Sequence, residues 1–305
     1  MIRAIRIGDG PIINARMCET IGDNINGPSL IRRPEWAPGP GRYMLYFAHH
    51  KGRHIRLATS DSLDGPWEIY RPGVLHLTDT PLAQTRPDTP QPAWAREAGQ
   101  DGLYPHLASP DVWVDDQTQR LHMLFHGLAE DGEQVSYAAA SGDGIAWFAD
   151  GQAIDETYLR RFSHNGRVYA MGRLGNLWRD RGDGRWEAGA KSLPGAVRHV
   201  AVLAQGDVLH VVFSRIGDAP ERLIHTVLDL GGDWLDWQSG TETEILRPEL
   251  EWEGAGLPVR PSLAGATGFV HELRDPALFT EDGQVWMVYS GGGEAALGLA
   301  RLDGI

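Results

Sequence analysis

The sequence predicts an all-β protein that folds as a five-bladed β-propeller, with about four antiparallel strands in each blade. A strand–turn–strand unit recurs five times along the 305 residues, at a period of roughly 40 residues or more that is typical of propellers. The 38 glycines, 19 prolines and 11 tryptophans favour many short strands and tight turns over long helices. Each repeat is therefore expected to form one small sheet.

The first two units define the repeat. An apolar strand at 43–48 is followed by an alternating partner at 54–59 and by a turn that leads to Trp67. The same spacing separates Ile55 from Trp67 and Val135 from Trp147 in the second unit. The second and later units are predicted at 121–125 with 135–139, 167–171 with 175–178 and 185–186, 208–213 with 223–228 and 234–237, and 285–289 with 296–301.

A further apolar segment with a polar lead-in precedes each unit and supplies its remaining strand. These segments lie at 26–31, 109–113, 156–160, 198–202 and 274–279. The fifth unit is one strand short, and residues 2–7 can supply that strand, so residues 1–305 are predicted to form a single closed domain. The irregular stretches at 72–105 and 230–270 are predicted to be loops between blades. A β-sandwich or two unrelated β domains are the alternatives.

Composition excludes several classes of protein. The chain carries 28 Lys and Arg against 41 Asp and Glu, a formal charge of −13, which argues against a nucleic-acid binder. No stretch approaches the ~20 apolar residues of a membrane span, and the single Cys18 excludes an internal disulfide and a cysteine-based zinc site. The first eleven residues lack a secretory signal, which predicts a cytoplasmic protein. The oligomeric state is left open.

Polar residues in the lead-ins and at the unit ends are the candidates for a site, because inner strands of a propeller converge on one axial pocket. Asp111 and Asp275 lie in apolar lead-ins, where an unpaired carboxylate is costly. Glu294, after a glycine run, is placed near the axis. The histidines at corresponding unit ends, which can donate to sugar hydroxyls or move protons, are His49, His50, His106, His126 and His199.

Each candidate has a structural alternative. Asp275 could form an ion pair with Arg274, and Arg215 could pair with Asp218 or Glu221. Each histidine taken alone is more often a structural residue. No metal-binding spacing is present, so no metal site or required cofactor is predicted, although a calcium ion in the axial channel is compatible with the sequence.

Several segments resemble the five-bladed glycosidases of glycoside hydrolase family 43, with relatives in families 32, 117 and 130. The segments that carry the resemblance are Ser109-Pro-Asp-Val112, Ile55 to Trp67, Glu156-Thr-Tyr158, and Arg274-Asp-Pro-Ala-Leu-Phe279. That family works with three carboxylates near the axis: a base in the first blade, an orienting Asp in the second and an acid Glu in the third. Asp111 matches the second and Glu156 the third, but the first falls on Gly27, so the expected base is absent unless Asp23, four residues earlier, replaces it by a different backbone path.

The resemblance implies a glycoside hydrolase-like enzyme that acts on a small glycoside or oligosaccharide. Its expected catalytic residues are Asp111, Glu156 and Asp275. Its expected substrate-binding residues are Asn26, His49, His50, His106, His126, Arg198, His199, Arg215 and Arg274. The missing base also fits a phosphorylase similar to family 130, in which phosphate is the nucleophile, and a sugar-binding propeller without catalysis.

Overall fold

The computed structural model describes residues 2–263, 265 and 268–305, and it confirms an all-β five-bladed propeller. Two strands precede the first blade, β1 (Arg3–Arg6) and β2 (Ile13–Asn14). The first blade consists of β3 (Asn26–Arg32), β4 (Tyr43–Ala48), β5 (His54–Ser60) and β6 (Glu68–His76), and the second of β7 (Leu107–Asp115), β8 (Arg120–Leu128), β9 (Gln134–Ser141) and β10 (Trp147–Ile154). The third consists of β11 (Arg160–His164), β12 (Arg167–Met171), β13 (Asn176–Asp180) and β14 (Trp186–Lys191), the fourth of β15 (Val197–Gln205), β16 (Val208–Arg215), β17 (Leu223–Asp229) and β18 (Thr243–Leu246), and the fifth contains β19 (Leu273–Glu281), β20 (Gln284–Gly291) and β21 (Ala296–Asp303).

Helices are few. The helical elements are α1 (Ala93–Ala98) and 3₁₀ turns at Leu77–Asp79, Arg173–Gly175, Trp234–Asp236 and Glu251–Glu253. None of these described helices has the length and apolar character needed to cross a bilayer.

The N-terminal strand closes the ring, as the sequence predicts. Strands β1 and β21 pair antiparallel, with Arg3 opposite Asp303, and complete the fifth blade as β1-β21-β20-β19. The short β2 pairs with the other end of β21, where Ile13 lies opposite Leu297. Because one sheet contains both ends of the chain, the last blade cannot separate without breaking these backbone hydrogen bonds.

The repeated turn tryptophans are part of the core. Trp67 and Trp147 are almost fully buried, and each indole donates a hydrogen bond to a backbone oxygen of its own turn, Leu63 O at 3.2 Å and Gly144 O at 3.0 Å. A buried indole N–H needs such a partner. The Asp-Gly turn therefore supplies both the chain reversal and the acceptor, which explains why turn and tryptophan recur together.

A bulge at the start of the inner strands positions the site. The register with the second strand shifts between Asn26 and Ser29, and equivalent shifts occur in β7, β15 and β19. Gly27 at this position has a φ of +55°, and a Cβ there would lie 3.0 Å from Ser109 Cα. Bulges re-aim side chains next to functional sites. The first blade therefore contributes no side chain at the position where the resemblance would place the base.

The fourth blade differs from its sequence-based description. The segment 234–237, which the repeat placed at the end of the fourth unit, contains a 3₁₀ turn, and the outer strand is β18, which lies within the stretch 230–270 that was predicted to be a loop. Trp234 and Trp237 pack on Tyr169 of the third blade, with ring centroids 5.9 Å and 5.0 Å apart. The two indoles fill the space between blades, and burial of that large apolar area outweighs their preference for a strand.

Candidate functional site

The propeller axis is marked by a narrow internal channel of about 50 Å³. Each of the five inner strands contributes two consecutive residues to its wall. These are Ser29 and Leu30, Asp111 and Val112, Arg160 and Arg161, Ala201 and Val202, and Ala277 and Leu278. The axis is thus reached from five distant places in the sequence, as the fold predicts.

A cleft opens at the end of the axis where the inner strands begin. Tyr158 and His199, which line the cleft, come two residues before the channel residues Arg160 and Ala201. The cleft consists of a cavity of about 170 Å³ and an adjoining one of about 380 Å³. The residues that line both are His50, Gln100, Tyr104, Gly265 and Glu294. The larger cavity has the size of a small-molecule site.

His199 and Asp275 form a pair at this cleft. The bulges of β15 and β19 bring them together, and Asp275 Oδ1 contacts His199 Nδ1. Asp275 has a φ of +47°, an uncommon conformation for a residue other than glycine, and its carboxylate is buried. Such backbone conformations persist where the surroundings impose them, often at functional sites. The pair can orient the imidazole and fix which ring nitrogen faces a ligand.

Glu294 supplies an ionised carboxylate to the cleft. One oxygen accepts hydrogen bonds from Asn24 Nδ2 at 2.7 Å and Asn26 Nδ2 at 2.9 Å, and the other accepts from Arg274 Nη1 at 3.1 Å. Burial raises the pKa of Glu294, but His50, Arg274 and the two amide donors outweigh it and lower the pKa to about 2. Glu294 is therefore negatively charged at neutral pH.

A buried network behind the cleft centres on Glu221. Its carboxylate accepts from Arg198 Nε at 2.9 and 3.0 Å and from Ser214 Oγ at 2.6 Å, and it also contacts Ser262 Oγ. Arg274 Nε lies 3.1 Å from the same carboxylate. Because Glu221 is fully buried, these partners replace the water that the charge has lost. Arg198 is thus held in place mainly by protein groups.

Arg274 connects this network to the cleft. Its guanidinium contacts Glu221, Glu272 and Glu294 while remaining 2% exposed. Although burial lowers the pKa of Arg274, the three carboxylates raise it above its ordinary value. A permanent charge at this point keeps Glu294 ionised and fixed.

Aromatic and imidazole rings form an arc along the wall, in the order His50, Tyr104, His106, His126, Tyr158 and His199. The closest pairs are His126 with Tyr158, 4.2 Å between centroids, and Tyr158 with His199, 4.3 Å. Burial lowers the pKa of His106 to about 4, although a hydrogen bond to Tyr104 O opposes this, and burial lowers the pKa of His126 still more clearly. Both rings are neutral at pH 7 and support the residues in front of them.

We expect these buried neutral histidines to make stability depend on pH. Between about pH 6.5 and 4 His106 and His126 bind protons in the unfolded chain but remain neutral in the folded protein. The free energy of unfolding therefore falls as the pH decreases. For His106 alone the loss between pH 7 and pH 4 is about 3 kcal/mol. Urea unfolding at a series of pH values measures it. His106→Gln should reduce this slope, and an unchanged slope would contradict the interpretation.

Asp111 lies in the channel and outside the cleft. Its carboxylate accepts from Arg161 N at 2.7 Å and lies 3.7 Å from Arg160 Nη1. Burial raises its pKa, and the two arginines oppose this.

With two guanidinium-bearing residues around one carboxylate, the channel residues do not fit a calcium ion, which takes six to eight oxygen ligands. Within residues 2–263, 265 and 268–305, no group of three or more His, Cys, Asp or Glu is placed to hold a metal.

Glu156 is bound within the third blade. One oxygen accepts from Asn176 Nδ2 at 2.9 Å and Trp178 Nε1 at 3.2 Å, and the other from Thr157 N at 2.8 Å. A Cβ on Gly172 would collide with its side chain. Glu156 is not among the described residues that line the cleft. Its contacts are those of a residue that holds the turn after β12.

The structure brings most of the other predicted residues to the cleft. His49, His50, Arg198 and His199 line it. The residues that touch this lining from behind are Asn26, His106, His126, Arg274 and Asp275. Arg215 lies apart and pairs with Glu242, not with Asp218 or Glu221, which were its predicted structural partners.

Sequence reasoning did not identify Tyr158 and Arg173 as site residues. Tyr158 occupies the place in the third blade that Ser109 and Asp275 occupy in theirs, and all three have positive φ angles. Alignment of the lead-ins on this position would have found it. Arg173 lies in the turn between β12 and β13, the equivalent of the β4–β5 turn that carries His49 and His50, but the sequence and length of this turn differ from blade to blade, so no pattern pointed to it.

Known proteins resemble this chain in sequence and in fold. No protein-family model matches it. The uncharacterized protein R118 of Acanthamoeba polyphaga mimivirus is 34% identical over an alignment that, with its gaps, is 333 positions long and covers 98% of this chain and 90% of the relative.

Solved structures share the propeller at low sequence identity. A putative glycoside hydrolase from Parabacteroides distasonis superposes with a TM-score of 0.64 at 10% identity, covering 99% of this chain and 96% of its own. A family-43 enzyme from Xanthomonas citri, solved with xylotriose, superposes with a TM-score of 0.60 at 11% sequence identity, and the match covers 96% of this chain and 88% of the enzyme. A family-43 β-xylosidase/α-arabinofuranosidase from a compost metagenome was solved with xylotriose in a calcium-free form. It superposes with a TM-score of 0.59 at 10% sequence identity, and the match covers 98% of this chain and 94% of the enzyme. The chain therefore has the fold of family-43 glycoside hydrolases.

Proposed function

We propose that this chain, which belongs to the family of the mimiviral protein R118 and has the fold of family-43 glycoside hydrolases, is a glycoside hydrolase-like enzyme that cleaves a small glycoside or oligosaccharide in the axial cleft. The observation that carries the proposal is the cleft itself. An ionised Glu294 and the pair of His199 and Asp275 meet there, at the end of a five-bladed propeller axis.

The residues can divide the chemistry of glycoside cleavage between them. Cleavage needs a proton on the leaving oxygen and negative charge near the anomeric carbon, where an oxocarbenium-like charge develops. His199 donates the proton to the leaving oxygen through the ring nitrogen that Asp275 does not engage, and the same nitrogen then takes up the proton of the water that adds to the anomeric carbon. Glu294 stabilises the developing charge through its own negative charge, since both of its oxygens already accept hydrogen bonds.

Aromatic residues offer a surface for the sugar. Trp94, Tyr104 and Tyr158 line the smaller cavity, and the C–H faces of sugars pack on such rings. Because two structural neighbours were solved with xylotriose, pentose glycosides come first among the substrates to test.

A sugar-binding propeller without catalysis is the second candidate. This candidate is favoured because none of the three positions at which the resemblance implies a catalytic carboxylate places one in the cleft. Gly27 occupies the first, and Asp111 and Glu156 in the other two are bound outside the cleft.

A panel of nitrophenyl pentosides and hexosides, with xylo- and arabino-oligosaccharides, tests the proposal. We expect sugar release in phosphate-free buffer. Release that requires added phosphate, with a sugar 1-phosphate as product, would identify the phosphorylase of the sequence-based alternative. If nothing in the panel is cleaved but sugars raise the melting temperature, the binding module is correct and the enzymatic proposal is wrong.

A further inference from the structure

Arg173 presents a guanidinium group to the cleft from a tightly fixed turn. Its backbone N–H donates to Thr157 O at 3.0 Å, and Gly172 N donates to Asn176 O at 2.9 Å. The next residue, Leu174, has a φ of +64°. Glu156 packs beneath Gly172 and bonds the side chain of Asn176. An uncommon backbone conformation and a hydrogen-bonded carboxylate thus fix the turn that positions this arginine.

The Arg173 side chain is not used by the protein. It lines the smaller cavity, yet among the described residues it forms no ion pair and no side-chain hydrogen bond. Arg198, the other arginine in that wall, is bound to Glu221 and Ser262. A guanidinium offers five N–H donors in a plane that matches a carboxylate or a phosphate. Half-buried and without such a partner, Arg173 has the donors of an anion site.

The neighbours of Arg173 are donors too. Tyr104 and Tyr158 line the same cavity as Arg173, and the backbone hydrogen bond from Arg173 to Thr157 O places Arg173 beside Tyr158. Burial raises the pKa of Tyr158 to about 12 against the opposing effect of Arg173, so this phenol remains protonated and can donate. No hydrogen-bond partner of the Tyr158 hydroxyl is found in the described part of the chain. Two adjacent donor groups therefore face the cavity without an acceptor.

The carboxylates near the cavity are already occupied. Glu294 accepts from Arg274 and from two asparagines, and Asp275 contacts His199. Neither pairs with Arg173 within 4 Å, the limit for an ion pair. Among the described residues no carboxylate pairs with Arg173, so a ligand that carries an oxyanion can supply the acceptor at this corner of the cleft.

We propose that the cleft selects sugars that carry an oxyanion, a carboxylate or a phosphate ester on the sugar, and that Arg173 binds this group together with the Tyr158 hydroxyl. The inference rests on the proposed function in that it assumes a sugar ligand in this cleft. It adds the substrate class, an acidic sugar, and a residue that sets specificity.

Calorimetric titration of the full chain tests the inference by binding alone. The probes are methyl β-glucuronide against methyl β-glucoside, glucose 6-phosphate against glucose, and inorganic phosphate. We expect at least one acidic sugar to bind about 10- to 100-fold more tightly than its neutral counterpart, the value of a hydrogen bond to a charged group. Arg173→Gln should abolish this preference, and Arg173→Lys should retain part of it.

Arg181→Gln is the matched control, because it removes the same charge from an exposed position of the same blade. It should leave the preference intact. Equal binding of acidic and neutral sugars, or an equal loss for both in Arg173→Gln, would overturn the inference. So would inorganic phosphate binding as tightly as the sugar phosphate. Acidic selectivity in a protein that cleaves no glycoside would refute the proposed enzyme and leave this inference standing.

Discussion

Asp275→Asn and His199→Gln should each lower kcat for glycoside cleavage by about 10²–10⁴-fold, the usual contribution of a positioned proton donor. The first change removes the carboxylate that orients the imidazole, and the second removes the imidazole itself. Because the two residues act as one unit, the double variant should be little worse than the poorer single variant. Steady-state kinetics on the best substrate of the panel measures these losses.

Asp111→Asn is the comparison that separates two assignments of the site. The resemblance implies that Asp111 is catalytic, whereas the structure places it in the channel, bonded to Arg161 N. We expect its kcat to fall less than 10-fold under conditions in which the variant is folded, far less than for Asp275→Asn. A larger loss of kcat in Asp111→Asn than in Asp275→Asn would show that Asp111 is catalytic, as the resemblance implies, and that the assignment of Asp275 is wrong.

Glu221→Gln should lower the free energy of unfolding by about 3–5 kcal/mol. The variant keeps the shape of the side chain but leaves Arg198 and Arg274 buried without one of their counter-charges, and breaking a buried ion pair in this way is strongly destabilising. Urea unfolding followed by tryptophan fluorescence gives the difference.

Glu187→Gln is the control for this measurement. It breaks an ion pair of similar geometry with Arg179 at 2.7 Å, but the Glu187 side chain is 43% exposed. Exposed pairs contribute about 0–1 kcal/mol, so this variant should remain close to the wild type. Similar losses in the two variants would show that the network behind the cleft is not a special source of stability.

The fold could be predicted from the sequence because it depends on a pattern that recurs. The spacing from Ile55 to Trp67 returns in the second blade, and the apolar residues 2–7 offered the missing strand. Where the pattern is weak the prediction missed an element, because the outer strand β18 lies within the stretch 230–270 that was predicted to be a loop. Trp234 and Trp237 fit the repeat but pack on Tyr169 of the neighbouring blade, a tertiary contact that no local pattern expresses.

The site could be predicted only in part, because it is built where the blades differ. The histidines at unit ends were found, since strand ends converge on the axis. Arg173 and Glu221 lie in the turns between the second and third strands of their blades, where sequence and length differ from blade to blade, and only the folded chain shows what surrounds them. The roles suggested for Asp111 and Glu156 depended on short motifs, which do not specify whether a carboxylate faces a cleft or a neighbouring backbone N–H group.

The most direct test of the central claim is the position of the sugar in a crystal of Asp275→Asn soaked with the glycoside that the wild type cleaves fastest. We predict an uncleaved glycoside between Tyr104, Tyr158 and His199, with its glycosidic oxygen within hydrogen-bond reach of the His199 ring. A glycoside bound elsewhere, such as the separate groove beside Trp252, with none in the axial cleft, would contradict the account.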